Sequence, residues 1–86
     1  MAYSIEFKPA AFRALGRLEK DVQKRLARKI ERLARNPRPV GVEKLKGMAD
    51  LYRVRVGDYR ILYLHDDVLL VLVIQIGHRR EVYRRW

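Results

Sequence analysis

The sequence predicts an α+β fold: an N-terminal strand, a two-helix hairpin and a three-stranded antiparallel meander, with the helices on one face of a small twisted sheet. Alternating apolar and charged residues over 51–60 indicate two strands joined by a tight turn. Apolar residues at every third or fourth position over 22–33 indicate an amphipathic helix. A nearly unbroken apolar run over 68–76 is typical of a strand buried on both faces. The 86 residues, 1–86, are expected to form a single domain.

The first half of the chain accounts for one strand and both helices. Apolar and polar residues alternate over 3–7, which predicts the first strand. Pro9 suits the first turn of a helix, where its missing N–H has no intrahelical partner. Asp21 is the predicted N-cap of the second helix, which ends before Pro37 because proline cannot continue a helix. The apolar positions predicted for the first helix are Ala11, Phe12, Leu15 and Leu18.

The second half contains the predicted meander. Residues 40–50 have no clean periodicity and are interpreted as a loop with a turn at Gly47. Strands follow over 51–56 and from 59 to about 65, and Gly57-Asp58 forms the two-residue turn between them. The last strand, 68–76, is expected to be central in the sheet and to end at Gly77, and a basic tail follows.

The charge balance is strongly basic. Lys and Arg number 20 and Asp and Glu 10, which gives a formal net charge of +10. Such an excess favours a polyanionic partner, because each neutralised phosphate releases condensed counterions. An anionic membrane surface or an acidic protein would satisfy the same charge, so charge alone names no substrate. The second helix contributes Lys24, Arg25, Arg28, Lys29, Arg32 and Arg35, which form either a solvated face or an auxiliary contact with an RNA backbone.

The composition also bears on cofactors and environment. The chain has no cysteine, which excludes disulfides and thiolate metal sites and is typical of a reducing cytoplasm. The N-terminus lacks the apolar segment of a signal peptide, and the apolar run 68–74 is too short to span a bilayer. We therefore expect a soluble cytoplasmic protein.

The predicted hairpin places Arg53, Arg55 and Arg60 on one face, with Arg55 opposite Arg60. Like charges opposed across a ladder destabilise a hairpin, so three guanidinium groups on one surface predict an oxyanion ligand such as phosphate. The alternative is that these arginines pair with Asp or Glu side chains of the same chain. Leu51 and Leu62 are expected to flank them in solvent, and a half-apolar, half-cationic surface also predicts a protein partner.

The segments KLKGMADLYRVRVGDYRILY and VLVIQIGHRREVY, in this order, resemble the RelE-type toxins of type II toxin-antitoxin systems, within the wider RelE/ParE superfamily. The resemblance implies a RelE-like fold and a ribosome-dependent endoribonuclease that cleaves mRNA in the ribosomal A site. It implies attack of a 2′-hydroxyl on the adjacent phosphate, without a metal or other cofactor. The implied partners are the ribosome with its mRNA and an acidic antitoxin that silences the toxin.

The resemblance also implies a set of site residues. Arg60 and Arg79 would hold the scissile phosphate, and Tyr83 would orient or stack the nucleotide. Arg53 and Arg55 fall where active members carry lysine, and arginine does not readily give up a proton. The proton acceptor is therefore open among Tyr83, His78 and a group or water on the ribosome. The residues predicted to contact RNA around these groups are Lys44, Lys46 and Arg80.

Simpler interpretations stand beside these assignments. His78 can be a solvated residue at the end of a strand, and His65 is expected at the surface beside a turn. Tyr83 can be an aromatic side chain packed on the core, and Glu81 can pair with a neighbouring arginine. At the level of function, the alternatives are a ParE-like inhibitor of DNA gyrase without catalysis and a nucleic-acid-binding protein whose nuclease activity has decayed. The joint presence of Arg60, Arg79 and Tyr83 favours the nuclease, because an inhibitor has no chemical need for it.

Overall fold

The structure is a computed structural model that describes residues 3–39, 41–45, 51–65 and 70–78. Across these ranges it has two helices and one five-stranded sheet, which confirms the predicted α+β class. The elements are β1 (Ser4–Phe7), α1 (Pro9–Gly16), α2 (Lys20–Arg35), β2 (Glu43–Lys44), β3 (Leu51–Val56), β4 (Tyr59–His65) and β5 (Leu70–His78). Neither helix in the described ranges is long and apolar enough to cross a membrane.

The sheet has the strand order β1-β5-β4-β3-β2. Strands β3, β4 and β5 form the predicted antiparallel meander, and β1 pairs with β5 in parallel. The interpretation of 40–50 as a loop was wrong at Glu43 and Lys44, which pair with β3 as a two-residue edge strand. So short a strand carries too little periodicity to be recognised in a sequence.

Strand β5 lies between β1 and β4, as its apolar sequence predicts for an interior strand. It continues further than expected, because Gly77 does not end it but pairs with Arg60 of β4. A register shift between Leu62 and Tyr63 leaves Ile74 as an extra residue of β5, which is a β-bulge. The bulge places Ile76 on the same face as Val73, so both side chains reach the helices.

The helices differ from the sequence prediction at their ends. Helix α1 begins at Pro9 as expected. Helix α2 begins at Lys20 with Glu19 as its N-cap, so Asp21 lies in the first turn and the predicted N-cap was wrong. A carboxylate in the first turn still complements the helix dipole there. Gln23 ties the two helices together, because its Nε2 donates to the carbonyls of Gly16 and Leu18.

The main core lies between the helices and one face of the sheet. The sheet face predicted to be covered by the helices consists of Tyr52, Val54, Val56, Tyr59, Ile61 and Tyr63. Four of these are fully or almost fully buried, and Val56 and Tyr59 are partly buried against the same core. Phe12, one of the apolar positions of α1, does not join this core: it is 63% exposed, with its ring edge against Phe7. The other buried members are Ala11, Leu26, Ile30, Leu33, Val71, Val73 and Ile76.

A second apolar cluster lies on the opposite face of the sheet. It consists of Leu51, Leu62 and Ile74, with Leu45, Leu64 and Leu72 packed against it. The expectation that Leu51 and Leu62 flank the arginines in solvent was wrong, since both are 0% exposed. The reason is tertiary: the bulge supplies Ile74, and Leu45, Leu64 and Leu72 pack against the same cluster.

Candidate functional site

The β3–β4 hairpin fixes the backbone of the candidate site. Gly57 has φ of +62°, a conformation that side-chain-bearing residues rarely adopt, and this allows the predicted two-residue turn. The register then pairs Arg55 with Arg60 and Arg53 with Leu62. Because paired residues share a face and residues alternate along a strand, Arg53, Arg55 and Arg60 lie on one side of the sheet. We call this side the arginine face.

The three side chains have different surroundings. Arg53 forms an ion pair with Glu43, with 2.7 Å between Nη2 and Oε2, and its side chain is only 12% exposed. For Arg53, the alternative of pairing within the chain is therefore correct. Arg55 is exposed and reaches a pocket beside α2. Arg60 is half-buried, and its Nε has no contact with solvent.

All three arginines act on one carboxylate. The hydrogen bond from Arg53 and its charge hold the pKa of Glu43 below the ordinary 4.5, and the charges of Arg60 and Arg55 lower it further. Desolvation opposes these effects and is outweighed. Glu43 thus reports a positive potential to which the whole trio contributes. Counting these four side chains as three positive and one negative, the group carries a net charge of +2.

Glu43 is the residue that sequence reasoning missed. It lies on a two-residue edge strand directly opposite Arg53, in a segment whose hydrophobic pattern gave no sign of pairing. The one indirect sign was Arg53 itself, because a guanidinium that becomes buried needs an anionic partner.

Two predicted site residues lie on the other side of the sheet. His78 pairs with Tyr59, and the two rings meet edge to face with centroids 5.8 Å apart. Lys44 pairs with Tyr52 and is exposed at the sheet edge. Both therefore belong to the face that the helices cover, not to the arginine face. The remaining predicted site residues, Lys46, Arg79, Arg80 and Tyr83, lie outside the described residues.

His65 is part of the core, so the expectation of a surface residue was wrong. It is 7% exposed, and its ring stacks on Tyr52 with centroids 4.6 Å apart. Arg38 donates from Nε to Nε2 of His65 across 3.2 Å, which requires that nitrogen to be unprotonated. His65 therefore links the connector after α2 to the sheet.

Tyr63 makes a second link to the same connector. Its hydroxyl donates to the carbonyl of Pro37 inside the protein. Burial raises the pKa of Tyr63 well above its ordinary value, and Tyr52 adds to the effect. Tyr63 thus remains a neutral donor and has a structural role.

Comparison with known proteins gives a consistent family assignment. The profile described as "ParE toxin of type II toxin-antitoxin system, parDE" matches residues 5–83. Toxin RelG of Mycobacterium tuberculosis is 32% identical over 90 residues, covering 99% of this chain and 100% of that protein. The isolated RelE toxin of E. coli superposes with a TM-score of 0.80 at 32% identity, covering 95% of this chain and 92% of that one.

Complexes of such toxins give the same result. The toxin-antitoxin complex from Pyrococcus horikoshii, described as RelE-RelB, contains a chain with a TM-score of 0.82 and 29% identity. The match covers 94% of this chain and 99% of that chain. This agreement in sequence and fold along nearly the whole chain means that the protein belongs to the RelE/ParE family of toxins and is the toxin of a RelBE-type toxin-antitoxin system.

Proposed function

We propose that this toxin is a ribosome-dependent endoribonuclease that cleaves mRNA in the ribosomal A site. The observation that carries the proposal is the convergence of Arg53, Arg55 and Arg60 on one face, where together they lower the pKa of Glu43. The like charges of Arg55 and Arg60 are paired across the hairpin, and an anionic ligand would lower their mutual repulsion. A phosphodiester has the charge and the oxygen geometry that guanidinium groups bind in pairs.

The proposed reaction is an internal phosphoryl transfer. The 2′-oxygen bonds to the adjacent phosphorus, the bond from phosphorus to the 5′-oxygen breaks, and the products carry a 2′,3′-cyclic phosphate and a 5′-hydroxyl. One proton leaves the 2′-hydroxyl and another reaches the 5′-oxygen. Negative charge accumulates on the non-bridging oxygens between these steps, and Arg60 would stabilise it. A preorganised donor of this kind is worth about 10² to 10³-fold in rate.

The roles of Arg53, Glu43 and His78 are argued from their positions, and those of Arg79 and Tyr83 from the family resemblance alone. In the proposal, Arg53 is held by Glu43 and contributes through its charge, while Arg79 is the second phosphate ligand and Tyr83 orients the nucleotide. Glu43 is a weak proton acceptor because its pKa is lowered. His78 lies on the opposite face from Arg60, so we assign proton removal to Tyr83 or to a group or water on the ribosome, without a metal.

Cleavage with and without ribosomes tests this function. The protein would be added to a reconstituted translation system and to naked mRNA, beside the variants Arg60→Ala and Arg17→Ala. We expect cuts only when ribosomes are present, and a loss of about 10² to 10³-fold in Arg60→Ala. Arg17→Ala removes the same charge from an exposed residue at the end of α1 and should cleave normally. Full activity of Arg60→Ala would contradict the proposal.

A second candidate function is inhibition of DNA gyrase. The observation in its favour is that the matching family profile is described by the name ParE. This function needs a binding surface and no phosphoryl-transfer chemistry. Loss of gyrase supercoiling activity in the presence of the protein, with mRNA left intact on ribosomes, would decide for it.

The proposed regulator is a cognate acidic antitoxin. The complexes named as RelBE and RelE-RelB, to which the fold is similar, pair a toxin with its antitoxin. The net charge of +10 favours an acidic partner. An apolar contact through Leu51 and Leu62 does not support this partner, because both side chains are buried. Co-expression with the neighbouring gene should yield an acidic chain that co-elutes with the toxin and suppresses cleavage.

A further inference from the structure

A cationic pocket lies between the outer side of α2 and the end of β3. Its volume is about 310 Å³, and we call it the α2–β3 pocket. Among the described residues, five positively charged side chains and one apolar side chain line it, and none that lines it is acidic. The lining residues are Arg25, Arg28, Lys29, Arg32, Arg55 and Val56.

Within the described residues, none of these five cations forms an ion pair with a carboxylate, in contrast to Arg53 and Glu43. Each of the four helical cations has another of them three or four residues away in the sequence, so they are neighbours on one side of α2. Like charges at this spacing disfavour the helix. An anion in the pocket would remove that repulsion.

The α2–β3 pocket is adjacent to the arginine face. The Nη1 atom of Arg25 lies 3.7 Å from the point where a Cβ on Gly57 would be, so α2 passes beside the hairpin turn. Arg55 belongs to both regions, because it lines the pocket and pairs with Arg60 across the hairpin. The two cationic regions are therefore continuous around the end of the hairpin.

We propose that the α2–β3 pocket is a second phosphate site, which binds the backbone of the same RNA at a distance from the scissile phosphate. The inference rests on the proposed function, which makes RNA the ligand of the arginine face. Guanidinium forks match phosphate oxygens. An acidic peptide fits less well, because protein interfaces depend on apolar anchors, and Val56 is the only apolar residue that the described part of the chain contributes to the lining.

The pocket supplies affinity and register rather than chemistry. The four helical cations extend over eight residues, 25–32, or about 10 Å along the axis of α2, which is longer than a single phosphate group. RNA bound there would continue past Arg55 toward Arg60. The pocket would contact the RNA backbone independently of sequence and hold the strand in register. These contacts weaken as the salt concentration rises.

A matched pair of double variants tests the pocket. Arg25→Gln/Lys29→Gln removes two charges that line it, and neither residue lines the neighbouring pocket formed by Arg28, Glu31, Arg32 and Arg35. Arg13→Gln/Arg17→Gln removes two charges at the same spacing from exposed positions of α1 and its end. The probe is a short fluorescent single-stranded RNA with 2′-O-methyl groups, which cannot be cleaved. Its binding to the full chain is measured by anisotropy over a range of salt.

We expect the pocket variant to bind this RNA on the order of tenfold more weakly than the control variant. Its plot of log affinity against log salt should also be shallower by about 1.4, since each lost contact to a single strand removes about 0.7. Thermal unfolding should show no loss of stability, because the substitution relieves repulsion between residues 25 and 29. Equal losses of affinity in the two double variants would overturn the proposal.

Two further outcomes separate this inference from others. If RNA binding is unchanged and the pocket variant instead binds the co-purified antitoxin more weakly, the pocket is a protein-binding surface and the proposal is wrong. The anisotropy measurement requires no cleavage, so it is independent of the Arg60→Ala experiment. Normal cleavage by Arg60→Ala would reject the nuclease, whereas equal binding losses would reject the pocket.

Discussion

The two faces of the sheet contrast sharply, although both are largely made from the same hairpin. On one face, apolar residues of β3, β4 and β5 pack against two helices. On the arginine face, an apolar strip near one end of the hairpin gives way to cations near its turn. Three consecutive residues of β4 show the contrast: Arg60 and Leu62 are on the arginine face, and Ile61 between them is in the main core.

The arginine face therefore carries both a buried apolar cluster, which stabilises the fold, and the cations of the proposed function. Leu62 is as fully buried as Ile61, since both are 0% exposed. The arginine face is therefore anchored by its own small core. Such an anchor would hold the arginines in place without an external ligand, which is the preorganisation that charge stabilisation requires.

The largest expected loss of stability comes from truncating a buried side chain in either apolar cluster. Ile61→Ala and Leu62→Ala should each lower the free energy of unfolding by about 2 to 5 kcal/mol, because both delete a fully buried branched side chain. Urea denaturation monitored by circular dichroism measures both. If Leu62→Ala alone costs less than about 1 kcal/mol, the second cluster is not a buried core. The arginine face would then be an open face without a core of its own.

A smaller effect is expected at the connector that closes the helix-covered face. Tyr63→Phe should lower the free energy of unfolding by about 1 to 3 kcal/mol, because the buried carbonyl of Pro37 loses its donor. Tyr59→Phe, on the same strand and the same face, is the control and should stay within about 0.5 kcal/mol.

The raised pKa of Tyr63 sharpens this test in alkaline solution. A folded-state pKa above the unfolded value means that the neutral phenol stabilises the fold below the ordinary pKa of 10. This contribution is lost as the pH rises beyond that value. In a spectrophotometric titration, the Tyr63 phenol should ionise only with unfolding, and its signal should be missing from Tyr63→Phe. Ionisation of this phenol in the native protein would contradict the burial.

Substitution in the turn between β3 and β4 should change the stability less. Gly57→Ala should destabilise by about 1 to 2 kcal/mol, because φ of +62° is unfavourable for a residue with a Cβ. The cause is the backbone alone, since the nearest atom to an added Cβ is at an ordinary contact distance of 3.7 Å. Gly16→Ala, in α1 with open space around it, should instead stabilise by up to about 1 kcal/mol. Thermal denaturation of both variants compares the signs.

The smallest expected effect belongs to Glu43 on the arginine face. Its lowered pKa means that the ionised carboxylate stabilises the fold above pH 4.5, and that this contribution disappears as the pH falls through the lowered pKa. The stability difference between the native protein and Glu43→Gln should therefore be present at neutral pH and absent in acid. Denaturation over a pH series measures it. A carboxyl carbon signal of Glu43 that titrates at 4.5 or above would contradict the influence of the arginines.

Much of the fold and part of the site could be predicted from local patterns. Alternation over 51–60 was enough to predict the hairpin, its turn and the pairing of Arg55 with Arg60, because the period of a strand and the chemistry of a turn are local properties. The partner of Arg53 was not predictable in this way. Glu43 meets it only because a distant edge strand pairs with β3.

By itself, the sequence determined the α+β class, both helices, the hairpin register, the interior position of the last strand and the excess of positive charge. The tertiary structure decided which apolar residues are covered, that His65 is buried, that His78 and Lys44 lie on the opposite face of the sheet from the arginines, and that α2 brings its cations beside Arg55. The physical reason is the range of the interactions. Periodicity, turns and composition depend on neighbours in the chain, whereas burial, bulges and ion pairs depend on elements that are brought together only by folding.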